Sequence, residues 1–185
     1  MYTKLEEFLR AKGAKYEVLV HPGAVTAQEQ AAATHTPGSA FAKVVVVKER
    51  DGFVLAVLPA SRVLDLDRLK GLIGHGEVRL ATVEEIVRVV PDCVPGAIPP
   101  FGALFRLPTY VDRMLANVRN VTMPAGDFST SIRMRAAEFR RLSAARIGEF
   151  SVMEMIVVRS RAWRARHRAP RRTSVLASPR QGGDR

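Results

Sequence analysis

Residues 43–59, KVVVVKERDGFVLAVLP, contain two apolar runs that flank a short polar segment. Two such runs, joined through a segment that ends in Asp51-Gly52, are typical of a β-hairpin. Four consecutive valines place apolar side chains on both faces of the first strand, because successive side chains of a strand point to opposite sides. The sequence therefore predicts a hairpin whose first strand is covered on both faces.

Five other stretches have the spacing or the capping residues of helices. Leu5, Phe8 and Leu9 fall on one helical face. Thr82 and Glu85 form a Thr-x-x-Glu capping box. The sequence SRVLDLDRLKGLIG also predicts a helix, with its first residue, a serine, as the N-cap. The predicted helices cover residues 3–12, 26–34, 61–74, 82–90 and 135–142.

Shorter apolar runs indicate strands outside the hairpin. Helices and strands follow one another without a regular βαβ alternation, so the predicted fold class is α+β rather than a doubly wound sheet. We expect a single compact domain in which helices flank a mixed β-sheet. The predicted strands cover residues 15–20, 78–82, 103–107, 109–111, 117–122 and 130–134, and residues 148–158 are expected to be weakly structured or to form a last strand.

Length and composition bound the class of protein. A chain of 185 residues that is 47% apolar is long enough for one domain with its own core. Its longest apolar run is too short to cross a bilayer, and acidic side chains interrupt the N-terminal segment where a signal peptide needs an apolar core. One cysteine leaves no pair for an internal disulfide. We expect a soluble, cytoplasmic protein without a membrane partner.

The net charge of +11 is concentrated in the C-terminal segment. Residues 159–185 contain nine Arg and one Asp, a net charge of +8, whereas the other 158 residues have a net charge of +3. This segment lacks regular apolar spacing, so we expect a folded domain at residues 1–158 and a disordered tail at 159–185. Arg-rich segments bind phosphates through bidentate hydrogen bonds, but such a tail can equally be a solvated extension.

Lys43 opens the valine-rich strand and shares a face with Val45 and Val47. A lysine in this place can hold a phosphate or a carboxylate at the edge of a cavity. The alternative is a strand-end lysine whose aliphatic stem covers apolar surface while its ammonium group stays in water. The pattern by itself favours the second interpretation.

Residues 91–104, PDCVPGAIPPFGAL, combine four prolines, two glycines and the single cysteine, Cys93. Proline fixes φ and glycine permits positive φ, so this segment is expected to follow a stiff and unusual path. Between Gly96 and Gly102 it can point backbone N–H groups at an oxygen of a ligand, as an oxyanion hole does. It can also be a rigid connection between two elements. Cys93 has no histidine beside it in the sequence and is expected to be structural.

The sequence lacks the motifs of metal and cofactor chemistry. Its four histidines show no metal-ligand spacing, and there is no second cysteine to join them. A P-loop, a dinucleotide-binding fingerprint and a Gly-x-Ser-x-Gly elbow are also missing. We therefore expect no cofactor and no metal site. The histidines stand at positions 21, 35, 75 and 167.

Seven segments along the chain carry more information through their order than any one of them does alone: YEVLVHP, TAQEQAAATH, AKVVVVKERDGFVLAVLPA, RLATVEEI, PDCVPGAIPPFG, YVD and MPAGDFSTSIRMRAAEF. This order resembles the YbaK/prolyl-tRNA-synthetase-associated editing domain family, which includes free-standing aminoacyl-tRNA deacylases. The resemblance covers about residues 1–152. It implies a compact domain with a curved mixed β-sheet and flanking helices.

The resemblance also implies a site, residue by residue. Lys43 is similar to the family's functional lysine, which is expected to grip a phosphate of the terminal adenosine of tRNA. Gly96 through Pro100 resembles its Gly-x-x-x-Pro loop, whose backbone would meet the aminoacyl ester and the ribose. Lys43, Gly96 and Pro100 are therefore the expected catalytic residues. The expected substrate-binding residues, which include a wall of the pocket for the amino-acid side chain, are His21, Ala97, Ile98, Pro99, Phe101, Gly102, Gly126, Ser129 and Ser131.

The function implied by the resemblance is trans-editing, the hydrolysis of the ester of a mischarged amino acid on tRNA. The family's chemistry needs neither a metal nor a protein nucleophile, because the ribose 2′-OH or the substrate's own side chain assists. The amino acid expected here has a small, Cys- or Ala-like side chain, although members that act on alanyl-tRNA carry Asn where this chain has Val44. The expected partners are a mischarged tRNA and an aminoacyl-tRNA synthetase.

Other classes of function stay open at this point. The same fold and the Arg-rich tail would suit a non-catalytic module that binds RNA or tRNA, with binding that weakens steeply in salt. A third interpretation is a domain that acts on a small acylated metabolite. Only the editing function predicts that the protein hydrolyses the ester of charged tRNA and that this activity depends on Lys43. The RNA-binding module and the metabolite-directed domain do not.

Overall fold

The computed structural model of the chain describes residues 1–74 and 76–153, which form ten strands and six α-helices. The predicted tail at 159–185 and residues 154–158 of the predicted last strand lie outside the described residues. The strands are β1 (Glu17–Val20), β2 (Ala42–Lys48), β3 (Phe53–Pro59), β4 (Arg62–Leu64), β5 (Arg79–Leu80), β6 (Thr109–Asp112), β7 (Asn120–Pro124), β8 (Thr130–Arg135), β9 (Arg146–Gly148) and β10 (Ser151–Met153). The helices are α1 (Thr3–Ala11), α2 (Ala27–Ala33), α3 (Leu66–Ile73), α4 (Val83–Val89), α5 (Arg113–Ala116) and α6 (Ala136–Ser143).

The predicted hairpin forms the middle of a five-stranded mixed sheet with the order β5-β2-β3-β6-β9. Strands β2 and β3 pair antiparallel along their full length, whereas β6 and β9 run parallel to β3. Two smaller sheets, β1-β8-β7 and β10-β4, complete the fold. The α+β prediction with a mixed sheet and flanking helices is confirmed. Among the described residues, no helix has the length and apolar character that crossing a bilayer requires.

Both faces of the hairpin are covered, as its four valines predict. On one face, Val47 and Leu58 pack with residues of α3 and with Phe150. On the other face, Ala42 and Val57 belong to a larger cluster with residues of α1, α6, β7 and β8. Burial of this apolar surface on two sides is the main source of stability that the structure offers.

Two capping boxes fix the starts of helices. In α4, the Thr82 hydroxyl accepts from the Glu85 amide at 3.3 Å, and the Glu85 carboxylate accepts from the Thr82 amide at 2.9 Å. This confirms the predicted box. Thr26 and Glu29 form the same arrangement at the start of α2. Each box satisfies amides that have no partner inside the helix, so both helices begin at defined positions.

The prediction of a helix over residues 61–74 is wrong for the first third of this range. Residues 62–64 form β4 and pair with β10, and the helix begins at Leu66. Its cap is Asp65, whose carboxylate accepts from the Arg68 amide at 3.0 Å, and not Ser61. The sequence contains two capping residues, and pairing with a distant strand selects the second.

Two strand predictions in the following region need correction. Residues 103–107 do not form a strand: residues 102–104 make a 3-10 turn, and Arg106 has φ +59, which a strand does not accommodate. The strand predicted at 117–122 lies at 120–124, because α5 precedes it. This short helix is capped by Asp112 and has too few residues to show a helical period in the sequence.

Asp112 connects three parts of the fold. It is 1% exposed, and its Oδ1 accepts from the Met114 amide at 2.9 Å, which caps α5. Its Oδ2 accepts from the amides of Phe150 and Ser151, both at 2.9 Å. The carboxylate therefore joins the end of β6 to the segment that leads from β9 into β10.

We expect Asp112→Ala to lower the free energy of unfolding by about 3 kcal/mol, because it leaves buried N–H groups without an acceptor. Urea unfolding followed by circular dichroism measures the change. The matched control is Asp67→Ala, which removes an exposed carboxylate from the first turn of α3 and should cost less than about 1 kcal/mol. Equal costs for the two variants would contradict the role given to Asp112.

Candidate active site

The Pro/Gly segment forms the loop that leads from α4 to the 3-10 turn. Gly96 has φ +96, in the region that favours glycine, and it is exposed. The residues that follow it, 97–102, are all buried. The loop therefore has one exposed point followed by a buried, proline-rich run.

Gly126 attaches this loop to the turn between β7 and β8. The Gly126 carbonyl accepts from the Val94 amide at 3.2 Å, and the Gly126 amide donates to the Ala97 carbonyl at 2.9 Å. Gly126 has φ +105, and a side chain here would collide with Tyr2. The residue predicted in the pocket wall and the predicted loop are thus in direct contact.

The loop between Gly96 and Gly102 has few backbone donors, since Pro99 and Pro100 have no N–H group. Among the described residues, the amides of Gly96 and Ile98 donate no hydrogen bond. These two N–H groups are the ones that the loop can offer to a ligand. The other three donate within the protein: Ala97 to the Val94 carbonyl, Phe101 to the Pro99 carbonyl, and Gly102 to Thr109 Oγ1.

The far end of the loop is anchored in the core. The Phe101 side chain has no exposed surface, and its ring centroid lies 5.6 Å from that of Phe8 and 5.7 Å from that of Phe139. A side chain at Gly102 would overlap the Leu107 carbonyl. The structure shows that both residues fix the loop, and their predicted contact with the substrate stays a prediction.

The edge of β2 that faces away from β3 is paired at its two ends. Phe41 forms a parallel bridge with Thr122 of β7, and Val47 and Lys48 pair with β5. In the described part of the chain, no strand pairs with Val44 on this edge. An unpaired strand edge exposes backbone N–H and C=O groups, so this open edge can receive a ligand.

Lys43 is half-buried at the start of this open edge, and its Nζ donates to the Arg62 carbonyl at 2.6 Å. It stands opposite Leu58 on β3, on the face that also carries Val45. The loop residue Ile98 packs on the other face of the hairpin. Lys43 and the loop therefore lie on opposite faces, with the open edge of β2 between them. That the two border one cleft stays a prediction.

His21 and Ser131 form a hydrogen bond, and both are buried. His21 Nδ1 lies 2.9 Å from the Pro22 carbonyl, which can only accept, so Nδ1 carries the proton. In the neutral ring, Nε2 then accepts from Ser131 Oγ at 3.0 Å. Ser129 is exposed, and its amide and hydroxyl donate to Asp127 at 2.9 and 3.1 Å. Of the two serines predicted to bind substrate, Ser131 lies in the interior and Ser129 at the surface.

Sequence reasoning missed Gln30. This residue of α2 is 0% exposed, and its Nε2 donates to the Gly96 carbonyl at 3.3 Å. The only signal in the sequence is that Gln30 adjoins Ala31, which is also buried, in an Ala-rich helix. Two other polar residues of the same helix, Gln28 and Glu29, do not share this burial, so the pattern alone does not single out Gln30.

Cys93 lies in the apolar cluster of Val46, Leu55 and Ile98. Burial raises the pKa of the Cys93 thiol to about 12, and the neighbouring Asp92 carboxylate adds to this increase. The thiol is therefore protonated at neutral pH, and a protonated thiol is a poor nucleophile.

Side chains that could hold a metal ion do not gather in groups of three or more His, Cys, Asp or Glu within residues 1–74 and 76–153. Of the four histidines, 75 and 167 lie outside the described residues. His21 and His35 are described, and the His21 ring nitrogens are both engaged by Pro22 and Ser131.

Comparisons with known proteins address the same part of the chain. The family described as "Aminoacyl-tRNA editing domain" matches residues 21–142, a range that includes β2, the loop and Gly126. The Multifunctional Ser/Thr-tRNA deacylase ProXp-y of Escherichia coli strain K12 is 27% identical over 154 residues, which are 80% of this chain and 92% of that protein.

A longer relative matches only in part. Proline--tRNA ligase of Thermosipho africanus strain TCF52B is 34% identical over 88 residues, which are 47% of this chain and 15% of the ligase. The chain therefore spans a small fraction of the length of that ligase.

Two solved structures share the fold. The hypothetical protein APE2540 superposes with a TM-score of 0.73 at 25% identity, over 80% of this chain and 99% of that one. A protein described as a candidate trans-editing enzyme for prolyl tRNA synthetase superposes with a TM-score of 0.73 at 26% identity, over 80% and 95%. Sequence and fold agree, and this chain belongs to the aminoacyl-tRNA editing domain family.

Proposed function

We propose that the protein is a trans-editing aminoacyl-tRNA deacylase that hydrolyses the ester between a mischarged amino acid and tRNA. The observation that carries this proposal is the stiff loop whose Gly96 and Ile98 amides donate to no described residue, next to the open edge of β2. Family membership supports it, and so does the Escherichia coli relative that is named a deacylase.

The loop supplies electrostatic stabilisation in this proposal. Attack of water on the ester carbonyl places negative charge on the carbonyl oxygen, and fixed N–H groups stabilise that charge without having to reorient. The Ile98 amide is held between the bond of Ala97 to Val94 and the two prolines, and the Gly96 amide belongs to the one exposed residue of this run. The bond between the carbonyl carbon and the ribose oxygen then breaks, which releases the amino acid and tRNA.

The substrate completes the chemistry. In the proposed mechanism, the ribose 2′-OH or the amino-acid side chain helps to activate the attacking water, and no side chain of the protein becomes acylated. Precise positioning can supply a large part of the acceleration of such a reaction. Lys43 contributes by binding a phosphate of the terminal adenosine at the open edge of β2.

The amino acid in this proposal has a small side chain. Cys- and Ala-like side chains follow from the family resemblance, and the name of the Escherichia coli relative adds serine and threonine to the candidates. The proposed partners are a mischarged tRNA in the cytoplasm and an aminoacyl-tRNA synthetase, for which the partial match to a proline--tRNA ligase gives support.

We expect Lys43→Ala to lower kcat/KM for deacylation by about 10- to 100-fold, since one charge-assisted hydrogen bond to a phosphate is lost. The measurement is a panel of tRNAs charged with Ala, Cys, Ser, Thr and Pro. Lys48→Ala is the matched control, because it removes the same charge from the other end of β2, where the ammonium lies 4.5 Å from the Phe53 ring centroid. It should retain activity within about threefold.

If wild type deacylates no tRNA of the panel faster than Lys43→Ala does, the enzyme proposal fails.

The net charge of +8 in residues 159–185 favours one other function, a tRNA-binding module. That function predicts tRNA binding without hydrolysis, a steep loss of affinity between about 50 and 200 mM salt, and loss of binding on deletion of these residues.

Cys93→Ala should change kcat/KM by less than about threefold, because no step of the proposed mechanism uses the thiol. With a pKa of about 12, the thiol should also react slowly with iodoacetamide at pH 8 in the folded protein and quickly in urea. Mass spectrometry of timed samples measures the modification. Fast labelling of the folded protein together with loss of activity would instead make Cys93 a nucleophile.

A further inference from the structure

Gln30 carries a hydrogen-bond acceptor that the fold leaves unused. The side chain is 0% exposed, and its Oε1 accepts no hydrogen bond from any described residue. Buried polar atoms are almost always paired, so an unpaired one calls for an explanation. Among the described side chains, it is the one buried oxygen or nitrogen atom in this condition.

The orientation of the Gln30 amide is fixed by its other atom. The Gly96 carbonyl can only accept, so the group that approaches it at 3.3 Å must be Nε2. The acceptor Oε1 therefore points away from the Gly96 carbonyl and needs a partner with an O–H or N–H group.

The polar groups at the end of α2, next to Gln30 in the chain, are already engaged. The Thr34 hydroxyl donates to the Gln30 carbonyl at 2.8 Å, and Arg133 donates to the Thr34 carbonyl at 3.1 Å. None of these groups is available to Gln30 Oε1 without breaking an existing hydrogen bond.

The position of Gln30 relates this acceptor to the proposed reaction. The side-chain amide of Gln30 donates a hydrogen bond to the carbonyl of Gly96, at the start of the loop that would hold the ester. In an aminoacyl ester, the side-chain oxygen of serine or threonine is only a few bonds from the carbonyl carbon. A small side chain that extends from the ester toward α2 would bring its hydroxyl group to Gln30 Oε1 once the substrate displaces the residues that cover Gln30, whose side chain is 0% exposed.

We propose that Gln30 is a specificity-determining residue whose Oε1 accepts a hydrogen bond from the side-chain hydroxyl of serine or threonine on tRNA, an inference that rests on the proposed deacylase function. A methyl group in the same place, as in alanine or valine, leaves the acceptor unpaired, which a buried site penalises. A thiol is a weak hydrogen-bond donor, so we expect kcat/KM for a cysteine ester to lie between the values for hydroxyl and methyl side chains. The α-ammonium group is a poorer match, because a buried charge needs a charged partner.

The test uses two pairs of esters that differ in one hydroxyl group. Serine is compared with alanine, and threonine with its near-isostere valine, each on the same tRNA. The variants are Gln30→Met, which removes both polar atoms, and Gln30→Glu, which keeps an acceptor oxygen and loses the amide N–H. The readout is the ratio of kcat/KM within a pair, because a disturbed loop lowers both members by the same factor.

We expect wild type to prefer the hydroxyl substrate of each pair by about tenfold or more, the Gln30→Met ratio to fall close to one, and Gln30→Glu to keep the preference. Three results would overturn the proposal: ratios close to one in wild type, ratios that Gln30→Met leaves unchanged, or an equal loss of preference in both variants. The last result would assign the effect to the Gly96 contact.

Binding separates this proposal from the proposed function. The probes are adenosines that carry threonine or valine through a 3′-amide, which the protein cannot hydrolyse as an ester, and calorimetry measures their affinities. If the threonine probe binds more tightly to wild type but not to Gln30→Met, the inference stands even when no tRNA is deacylated. If neither deacylation nor binding distinguishes the probes, the inference is wrong as well.

Discussion

The structure depends on one constraint, that the hairpin of β2 and β3 is apolar on both faces and must be buried on both. Each face recruits different elements: α3 and Phe150 cover one, and α1, α6 and the three-stranded sheet cover the other. Covering two faces does not require pairing the edge. The bridge of Phe41 to Thr122 and the short pairing with β5 leave the middle of the β2 edge open. The open edge is thus a consequence of how the hairpin is buried.

The loop beside this edge is stiff for reasons that lie in its own sequence and in its attachments. Prolines remove both freedom and donors, and positive φ at Gly96 and Gly126 lets the two segments exchange backbone hydrogen bonds. The burial of Phe101 fixes the far end. A loop held at both ends keeps its remaining N–H groups in fixed directions, which is the condition for electrostatic stabilisation without reorganisation.

Local signals predicted the parts of the fold that are decided locally. The hairpin, the capping box of Thr82 and the amphipathic helices α1 and α6 follow from spacing over a few residues. Where two local solutions compete, the choice needs a distant partner: β10 selects Asp65 over Ser61 as the cap of α3. Lys43 and the loop were predicted as residues, but their placement on opposite faces of β2 follows only from the register with β3. Gln30 was missed because its partner, Gly96, lies 66 residues away.

The same reasoning explains why a search for reactive side chains finds so little in this chain. The residue with the most reactive side chain, Cys93, is buried with a raised pKa, whereas the proposed chemistry uses backbone amides and a hydroxyl group of the substrate. Backbone amides leave no signature of residue type except the glycines and prolines that aim them. A side chain that selects the substrate need not be reactive either, and a buried glutamine with one unused oxygen meets that requirement. In such a site, unpaired polar atoms are a better guide to function than nucleophiles are.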